Sequence, residues 1–551
     1  MNRFILFSFL VIISTLKAFS QNGDIVQTEG ITSKLHRENV GRIFFSSKQI
    51  PTVALKPTDF LQTYQLTNKS DLFFIAYFGN SITNYLHKLA PNLSADSLVK
   101  IGNYQFTLYV DDKLIYQSNL LPGAPRAQVQ DTATSINKPL IDNKNSYGIW
   151  SESFWNRFLR SGGDTVLTEG KHTIKMEIRP YINNKVIIIG NLIASGTLNL
   201  IVKRKPVINI QQIRLTSIKP YNGFDVSKEN FDRNKIKELK GNIEAGVFKK
   251  ISSIVVIRNG KILIEEYFNG ASRSTLHDPR SVGKSFASTI AGIAIDKKHL
   301  GGTNQQLSEF YTLSNFKNYS EAKSTVSLGD LLTMSSAFSG NDDDGNSPGN
   351  EENMYPTEDW VKFALDLPTR FDTSKKQWRY FTAGVVLLGD ILNKSVPDGL
   401  EKFAHANLFK PLGITNYRWQ YTPQKVPNTA GGIQMNALDF AKYGQLYKNG
   451  GAWKGQQILS KNWVEASLEK QIQIPGRENE FYGYLFWNKS FRINNSSYEA
   501  FYCAGNGGNY ILIFKDQPLV IVITATAYGQ SYAHPQVTRI IEEFVLLAVL
   551  R

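Results

Sequence analysis

The chain has 551 residues, of which 42% are hydrophobic and 12% aromatic, so it can bury a large core and is too long for one ordinary domain. Its formal charge of +15 comes from basic residues scattered among acidic and aromatic ones, which argues against a nucleic-acid partner. Cys503 is the only cysteine, so an internal disulfide is excluded. The seven histidines lack zinc-ligand spacing, and we predict neither a metal nor a cofactor.

The N-terminal residues have the features of a secretory signal peptide. A basic start precedes an apolar run over residues 4–13 and a small-residue exit that ends at Ser20. The apolar run is shorter than the roughly 20 residues that span a bilayer, which disfavours an uncleaved membrane anchor. We therefore predict a signal peptide over residues 1–20 and a periplasmic or secreted protein without an integral membrane span after cleavage.

Residues 21–205 alternate with period two and are rich in β-branched and aromatic residues, as in 104–110. This pattern predicts an all-β, sandwich-like accessory domain. Its aromatic stretch, 147–155, is compatible with glycan or cell-wall contact, although burial in a core explains the same composition. The alternation fades over 206–229, which we predict to be a linker.

A second domain is predicted over residues 230–551, because helical spacing begins there. Runs of β-type residues follow on both sides of Asn259-Gly260, which is a strong signal for a tight hairpin. A second hairpin is expected within 510–524, and a closing helix over 537–550. Strands from both ends of the domain would then share one antiparallel sheet, flanked by helices.

The segment Ser281-Val282-Gly283-Lys284 opens an apolar helical run directly after the first hairpin. Residues three apart share a helix face, so the Lys284 amine can reach the Ser281 hydroxyl. A serine needs a base to become a nucleophile, and a lysine can serve only if burial or neighbouring charge lowers its pKa. The spacing proves little by itself, since Ser97 and Lys100 also have it.

Two further motifs follow in order. One is Trp378-Arg379-Tyr380-Phe381-Thr382, which leads into an apolar helix, and the other is Gly505-Asn506-Gly507-Gly508-Asn509, which enters a strand. Together with the Ser281 segment, they resemble the serine β-lactamase and penicillin-binding-protein superfamily, in its class C-like branch of esterases, amidases and D-amino-acid peptidases. The resemblance covers about 231–550 and implies a β-lactamase-like α/β (α+β) domain.

The resemblance also implies the roles of the site residues. Ser281 would attack a carbonyl and form an acyl-enzyme, while Lys284 and Tyr380 act as acid and base. The oxyanion would lie between the main-chain N–H groups of Ser281 and Asn509. Water would then release the acyl product.

The chain departs from the family pattern in two places. Asn506 stands where β-lactamases and carboxypeptidases have a lysine that faces the substrate carboxylate, which argues against strong β-lactamase activity. Thr382 replaces the usual Asn or Ser and retains one hydrogen-bond donor. Gly507 and Gly508 permit the close main-chain approach that a substrate needs, although a strand bulge would also explain them.

One competing nucleophile is present in the sequence. Ser347 lies in a Gly-x-Ser-x-Gly pattern, but the pattern falls in a polar acidic loop, 341–352, without the strand and helix that a nucleophile elbow requires. The loop also lacks the spacing of a calcium-binding EF-hand, and we expect it to border the cleft.

The sequence thus predicts an exported serine hydrolase for a small-molecule or peptide ester or amide. The alternative is a catalytically silent relative that binds peptides or cell-wall fragments.

Overall fold

The structure is a computed structural model that describes residues 23–124, 126–141, 149–370, 372, 376–530 and 532–550. The predicted signal peptide, 1–20, lies outside these residues. Contacts divide the chain into two compact units, Met1–Pro206 and Val207–Arg551. Within the described ranges, no helix combines the length and the hydropathy that a membrane crossing requires.

The first unit is built mostly of strands in sheets, as the residue pattern predicts, and it also contains helices that the pattern did not predict. The strands are β1 (Ile43–Ser46), β2 (Thr63–Leu66), β3 (Leu72–Tyr77), β4 (Gly102–Val110), β5 (Lys113–Asn119), β6 (Ser135–Ile141), β7 (Gly170–Asn184), β8 (Val186–Ile189) and β9 (Ala194–Val202). The helices are α1 (Lys34–Glu38), α2 (Ile82–Leu89), α3 (Ala95–Ile101), α4 (Ala127–Thr132), α5 (Ile149–Phe158) and α6 (Asp164–Val166).

These strands form two sheets. One has the order β1-β3-β6, and the other has the order β2-β9-β7-β4-β5, with β8 paired to β7. Phe106 and Leu108 from β4 are buried in one core with Ile174 from β7, because alternate residues of a strand point to the same face. Phe154 and Trp155, from the predicted aromatic stretch, are buried in this core as well. Residues 147 and 148 of that stretch lie outside the described ranges.

The second unit contains a large antiparallel sheet with helices on both faces. Its strands are β10 (Ile251–Arg258), β11 (Lys261–Tyr267), β12 (Arg418–Trp419), β13 (Ile433–Gln434), β14 (Ala452–Trp453), β15 (Gln456–Gln457), β16 (Ile472–Gln473), β17 (Phe481–Tyr482), β18 (Trp487–Ile493), β19 (Ser496–Gly505), β20 (Asn509–Phe514) and β21 (Leu519–Ala525). The large sheet has the order β11-β10-β21-β20-β19-β18-β17-β16, so strands from both ends of the unit are neighbours.

The helices of this unit follow the apolar spacing of the sequence. They are α7 (Arg233–Glu244), α8 (Gly283–Asp296), α9 (Glu321–Ser324), α10 (Leu328–Leu332), α11 (Glu351–Met354), α12 (Trp360–Asp366), α13 (Thr382–Ser395), α14 (Gly399–Ala404), α15 (Ala437–Lys448), α16 (Lys461–Ser467), α17 (Ala533–Ile540) and α18 (Leu546–Val549). A π-helical turn, Ile541–Val545, joins α17 to α18.

Strand β10 shows why the sheet is buried on both faces. Val255 and Ile257 point into the core that contains α8, α13 and α15. Ile254 and Val256 point into a second core, which contains α7 and the C-terminal helices. An unbroken apolar strand is typical of such a two-sided position.

Candidate active site

Ser281 lies in a short 3₁₀ turn, Arg280–Val282, which leads directly into α8. The preceding residue, Arg280, has a left-handed φ of 53°. Its N–H donates to the Asp278 carboxylate at 3.1 Å. The turn therefore holds Ser281 immediately before the first turn of a buried helix.

Lys284 is buried one helical turn after Ser281, with 2% of its surface exposed. Its Nζ lies 2.8 Å from Ser281 Oγ and 2.7 Å from the main-chain oxygen of Ala430. It also lies 5.1 Å from the centre of the Tyr380 ring. The structure thus brings together the three residues that the sequence analysis assigned to catalysis.

Tyr380 comes two residues before the first residue of α13 and faces both other members of the group. Burial raises the pKa of the Tyr380 phenol, while the charge of Lys284 and hydrogen bonds with the Ser281 and Lys284 side chains oppose that rise. The Tyr380 ring stacks on Trp487 with 5.6 Å between ring centres and 25° between planes. Trp487 was not predicted, because a strand tryptophan has no sequence signal that separates a site wall from a core.

Asp342 is a second residue that the sequence analysis missed. Its main-chain N–H donates to the main-chain oxygen of Tyr380 at 2.8 Å. Its carboxylate accepts the main-chain N–H groups of Thr382 at 2.7 Å and Glu351 at 2.8 Å. Burial raises the pKa of Asp342 to about 6, against the opposing effects of Thr382 and Lys284. Asp342 therefore ties the acidic loop to the tyrosine motif, and Thr382 is held through its main chain.

The two asparagine side chains of the third motif, Asn506 and Asn509, form hydrogen bonds within the protein. Asn509 Nδ2 donates to the main-chain oxygens of Asn506 at 2.9 Å and Ala525 at 3.0 Å, and its Oδ1 accepts the Ala525 N–H. Asn506 Oδ1 accepts the Gly529 N–H at 2.8 Å. The two amides thus anchor the β19–β20 turn to the last residue of β21 and to the segment that follows it, a use that sequence spacing cannot reveal.

Main-chain conformation and steric limits explain why glycine occupies three positions of this motif. Gly507 and Gly508 have φ angles of 93° and 89°, which side-chain-bearing residues rarely adopt. A β-carbon at Gly505 would lie 1.8 Å from the Pro279 oxygen and 3.1 Å from the Ser281 nitrogen. The end of β19 is therefore in direct contact with the main chain that carries Ser281.

Ser347, the competing nucleophile, has surroundings unlike those of Ser281. It lies in a loop between turns, and its Oγ is 3.5 Å from the Ser339 oxygen, at the limit of a hydrogen bond. Within the part of the chain that the structure describes, its hydroxyl makes no hydrogen bond to a lysine or histidine side chain. The structure thus gives Ser347 no base comparable to the one beside Ser281.

Metal chemistry has no obvious donor set in the described part of the chain. No group of three or more His, Cys, Asp or Glu side chains there is arranged to hold a metal ion. His277, four residues before Ser281, is buried, and burial lowers its pKa to about 4. The main-chain N–H of His277 donates to the main-chain oxygen of Met435 at 2.8 Å, so this residue anchors the approach to Ser281 through its main chain.

The family model for β-lactamase matches residues 243–542, which is more than half of the chain and includes all three motifs. The chain belongs to the β-lactamase family. Family members include penicillin-binding-protein-like hydrolases, esterases and amidases that act on small esters and amides, and some are catalytically inactive. Among curated proteins, none matches this β-lactamase-family chain in sequence.

Similar solved structures have low sequence identity. A Bacillus anthracis protein provisionally assigned as a 6-aminohexanoate-dimer hydrolase is 20% identical, with a TM-score of 0.46, over 57% of this chain and 84% of that one. A penicillin-binding protein homologue from Pyrococcus abyssi is 17% identical, with a TM-score of 0.44, over 56% and 77%. A D-stereospecific amidohydrolase from Streptomyces is 16% identical, with a TM-score of 0.41, over 53% and 95%.

Proposed function

We propose that this chain is an exported serine hydrolase that cleaves an ester or amide bond through an acyl-enzyme on Ser281. The observation that carries the proposal is the 2.8 Å contact between Lys284 Nζ and Ser281 Oγ in a buried setting. Tyr380 completes the group. Membership of the β-lactamase family supports this chemistry, since the family contains serine hydrolases of esters and amides.

Acylation requires that Ser281 Oγ lose its proton as it attacks the substrate carbonyl. The acceptor is the Lys284–Tyr380 pair in the form that lacks one proton. That form is either a Lys284 amine beside a Tyr380 phenol or a Lys284 ammonium beside a Tyr380 phenolate. The two forms have the same total charge, so the short contacts allow the proton to move between them. The pair then donates this proton to the leaving group, and afterwards it takes a proton from the water that attacks the acyl-enzyme.

The tetrahedral intermediate carries a negative oxygen that must be stabilised. We place it between the Ser281 N–H and a main-chain N–H from the segment 505–509, because the Gly505 main chain contacts Ser281. Loss of one such donor typically costs about 3 kcal/mol. Asn509 contributes through its main chain in this scheme, since both N–H donors of its side chain are used within the protein.

The remaining motif residues line the substrate path in this proposal. Thr382 offers a hydroxyl to the substrate, while Gly507 and Gly508 allow close main-chain approach. Asn506 supplies no positive charge for a substrate carboxylate, so we expect at most weak β-lactam turnover.

The direct test is covalent labelling of the purified mature chain with a fluorophosphonate probe, with the adduct located by peptide mass spectrometry. We expect labelling of Ser281, loss of labelling in Ser281→Ala, and undiminished labelling in the matched control Ser347→Ala. An adduct on Ser347 would overturn the mechanism.

A second candidate is the catalytically silent binder of peptides or cell-wall fragments. The observation that favours it is Asn506, whose amide is engaged with Gly529 where the family has a lysine. Binding of a cell-wall peptide by a chain that no probe labels would establish this function instead.

Export rests on the sequence of residues 1–20. We expect fractionation of expressing cells to place the chain outside the cytoplasm. The intact mass should be that of a chain that begins at Gln21.

A further inference from the structure

The Asp342 carboxylate lies at the N-termini of two helices beside the proposed catalytic group. Its Oδ2 accepts the main-chain N–H of Thr382 at 2.7 Å, and its Oδ1 accepts that of Glu351 at 2.8 Å. Thr382 is the first residue of α13, and Glu351 is the first residue of α11. The first N–H groups of a helix have no partner within the helix and carry a partial positive charge. The ionised carboxylate therefore satisfies one such group in each helix.

Helix α13 depends on this distant carboxylate because its own N-cap residue supplies no acceptor. The N-cap residue is Phe381, and its side chain makes no capping hydrogen bond. In α11, by contrast, the N-cap residue is Asn350, whose Oδ1 accepts the Glu352 N–H at 2.9 Å. Asp342 precedes Thr382 by 40 positions. It does for α13 what a capping Ser, Asp or Asn ordinarily does from the position next to the helix.

Asp342 also binds the peptide group on the other side of Phe381. Its main-chain N–H donates to the main-chain oxygen of Tyr380 at 2.8 Å. The chain that enters the acidic loop lies against the Phe381 ring, since a β-carbon at Gly340 would be 2.1 Å from it. The hydrogen bonds of Asp342 thus bracket Phe381, and they fix the main chain that carries Tyr380.

We propose that Asp342 is a positioning residue, whose ionised carboxylate holds Tyr380 in place beside Ser281 and Lys284. Both oxygens of an ionised carboxylate accept hydrogen bonds, whereas protonation turns one of them into an O–H donor. A protonated Asp342 therefore loses an acceptor for one of the two helices, and the main chain at Tyr380 is held less firmly. The inference rests on the proposed hydrolase function and adds a control of that same site by pH.

The groups that face Asp342 set the pH at which this change occurs. Burial has the largest effect and raises the pKa of Asp342 to about 6. The charge of Glu351 on α11 also raises it, while hydrogen bonds with Thr382 and the charge of Lys284 on α8 lower it. Tyr355 faces Asp342 as well, but burial raises the pKa of its phenol, so it stays neutral. Asp342 is thus the group that changes charge near pH 6.

The test is the pH dependence of kcat/KM for p-nitrophenyl acetate, measured from pH 5 to pH 8 on the purified mature chain, since this ratio reports groups of the free enzyme. Wild-type kcat/KM should fall as the pH falls through about 6. Asp342→Asn, which is neutral at every pH, should lose about tenfold or more at pH 7.5 and should lack the fall near pH 6. The matched control Asp343→Asn removes an exposed charge from the next position and should retain the wild-type profile.

Each contrary result has a distinct meaning. If Ser281 is labelled, a flat wild-type profile, or an Asp342→Asn profile that falls like that of wild type, overturns the inference and leaves the hydrolase proposal standing. Absence of both turnover and labelling overturns the two proposals together. If Asp342→Asn does not fold, Thr382→Pro removes the N–H at a helix position that tolerates proline, while Thr382→Val keeps it. Equal kcat/KM values for these two variants at pH 7.5 would also overturn the inference.

Discussion

Two lysines in the second unit have the same kinds of neighbour, although the neighbouring residues differ. Lys284 and Lys442 are 2% and 0% exposed. Each lies over a tyrosine ring, at 5.1 Å from the centre of Tyr380 and 4.7 Å from that of Tyr221. Each also donates to one main-chain oxygen. Burial and an aromatic neighbour therefore do not by themselves mark a lysine as a candidate catalytic base.

The difference lies in the third partner. Lys442 Nζ is 2.8 Å from Asp439 Oδ1, and Asn436 and Tyr221 donate hydrogen bonds to the same carboxylate. Lys442 is therefore one half of a buried ion pair whose carboxylate has further hydrogen-bond donors. Lys284 has the Ser281 hydroxyl in the corresponding place. A hydroxyl has a proton to give, so Lys284, unlike Lys442, has the partner that the base of the proposed mechanism requires.

The largest expected effect comes from Lys284→Met, which keeps the length of the side chain and removes the amine. Ester hydrolysis should fall by about 10²–10⁴-fold, the usual contribution of a general base. The free energy of unfolding should fall by only about 1–3 kcal/mol, because the buried Ala430 oxygen loses its donor but no ion pair is broken. Paired assays of kcat/KM and melting temperature check this. A variant with more than a tenth of wild-type activity would show that Lys284 is a structural lysine like Lys442.

Lys442→Met should show the opposite result. It leaves the Asp439 carboxylate buried without a cation, which should destabilise the fold by about 3–5 kcal/mol. Specific activity of the folded enzyme should remain, as measured below the unfolding transition. The double variant Lys442→Met/Asp439→Asn should recover part of the stability in urea unfolding, since the uncompensated charge is gone. No recovery would show that packing, rather than charge, sets the cost.

His277 tests a buried base that has no charged partner. Burial lowers its pKa to about 4, against an ordinary 6.5. Its contribution to stability is therefore complete above pH 6.5, and it is lost as the pH falls through 4, because the unfolded chain takes up the proton first. Between pH 7.5 and pH 4.5, wild type should lose up to about 3 kcal/mol more than His277→Leu. Parallel pH profiles in chemical unfolding would contradict this assignment.

The smallest effect is expected at an exposed ion pair. Lys461 and Glu465 are 3.5 Å apart on α16, with 76% and 63% of their side chains exposed. Lys461→Ala should change the free energy of unfolding by at most about 0.5 kcal/mol, because water and salt screen the pair. A shift as large as that of Lys442→Met would mean that exposure does not separate the two ion pairs.

Local patterns predicted much of the second unit. Asn259 and Gly260 have φ angles of 49° and 71°, as a tight hairpin turn requires, and β10 pairs with β11. The i, i+3 spacing of Ser281 and Lys284 predicted their contact. These features depend on residues near one another in sequence, where turn and helix geometry decide the outcome.

The rest depends on contacts between distant segments. Asp342 reaches Thr382 because the acidic loop folds onto the tyrosine motif, and nothing in its own neighbourhood indicates this. Asn506 belongs to the motif that the sequence analysis linked to substrate, but its Oδ1 accepts the N–H of Gly529, in the segment after β21. The helices of the first unit were hidden by a β-rich composition. The proposed roles of Ser281 and Tyr380 remain predictions for the labelling and kinetic experiments.

The sheet order also has a consequence for synthesis. The hydroxyls of Ser253 on β10 and Thr524 on β21 are 2.6 Å apart, although 271 positions separate them in the sequence. A growing chain therefore carries Ser281 long before the ribosome has produced the strands that complete its surroundings. Contacts of such high sequence separation form late in folding. If Ser281 is the nucleophile that we propose, it should stay inert in nascent or truncated chains and become reactive only after the last strands have been translated.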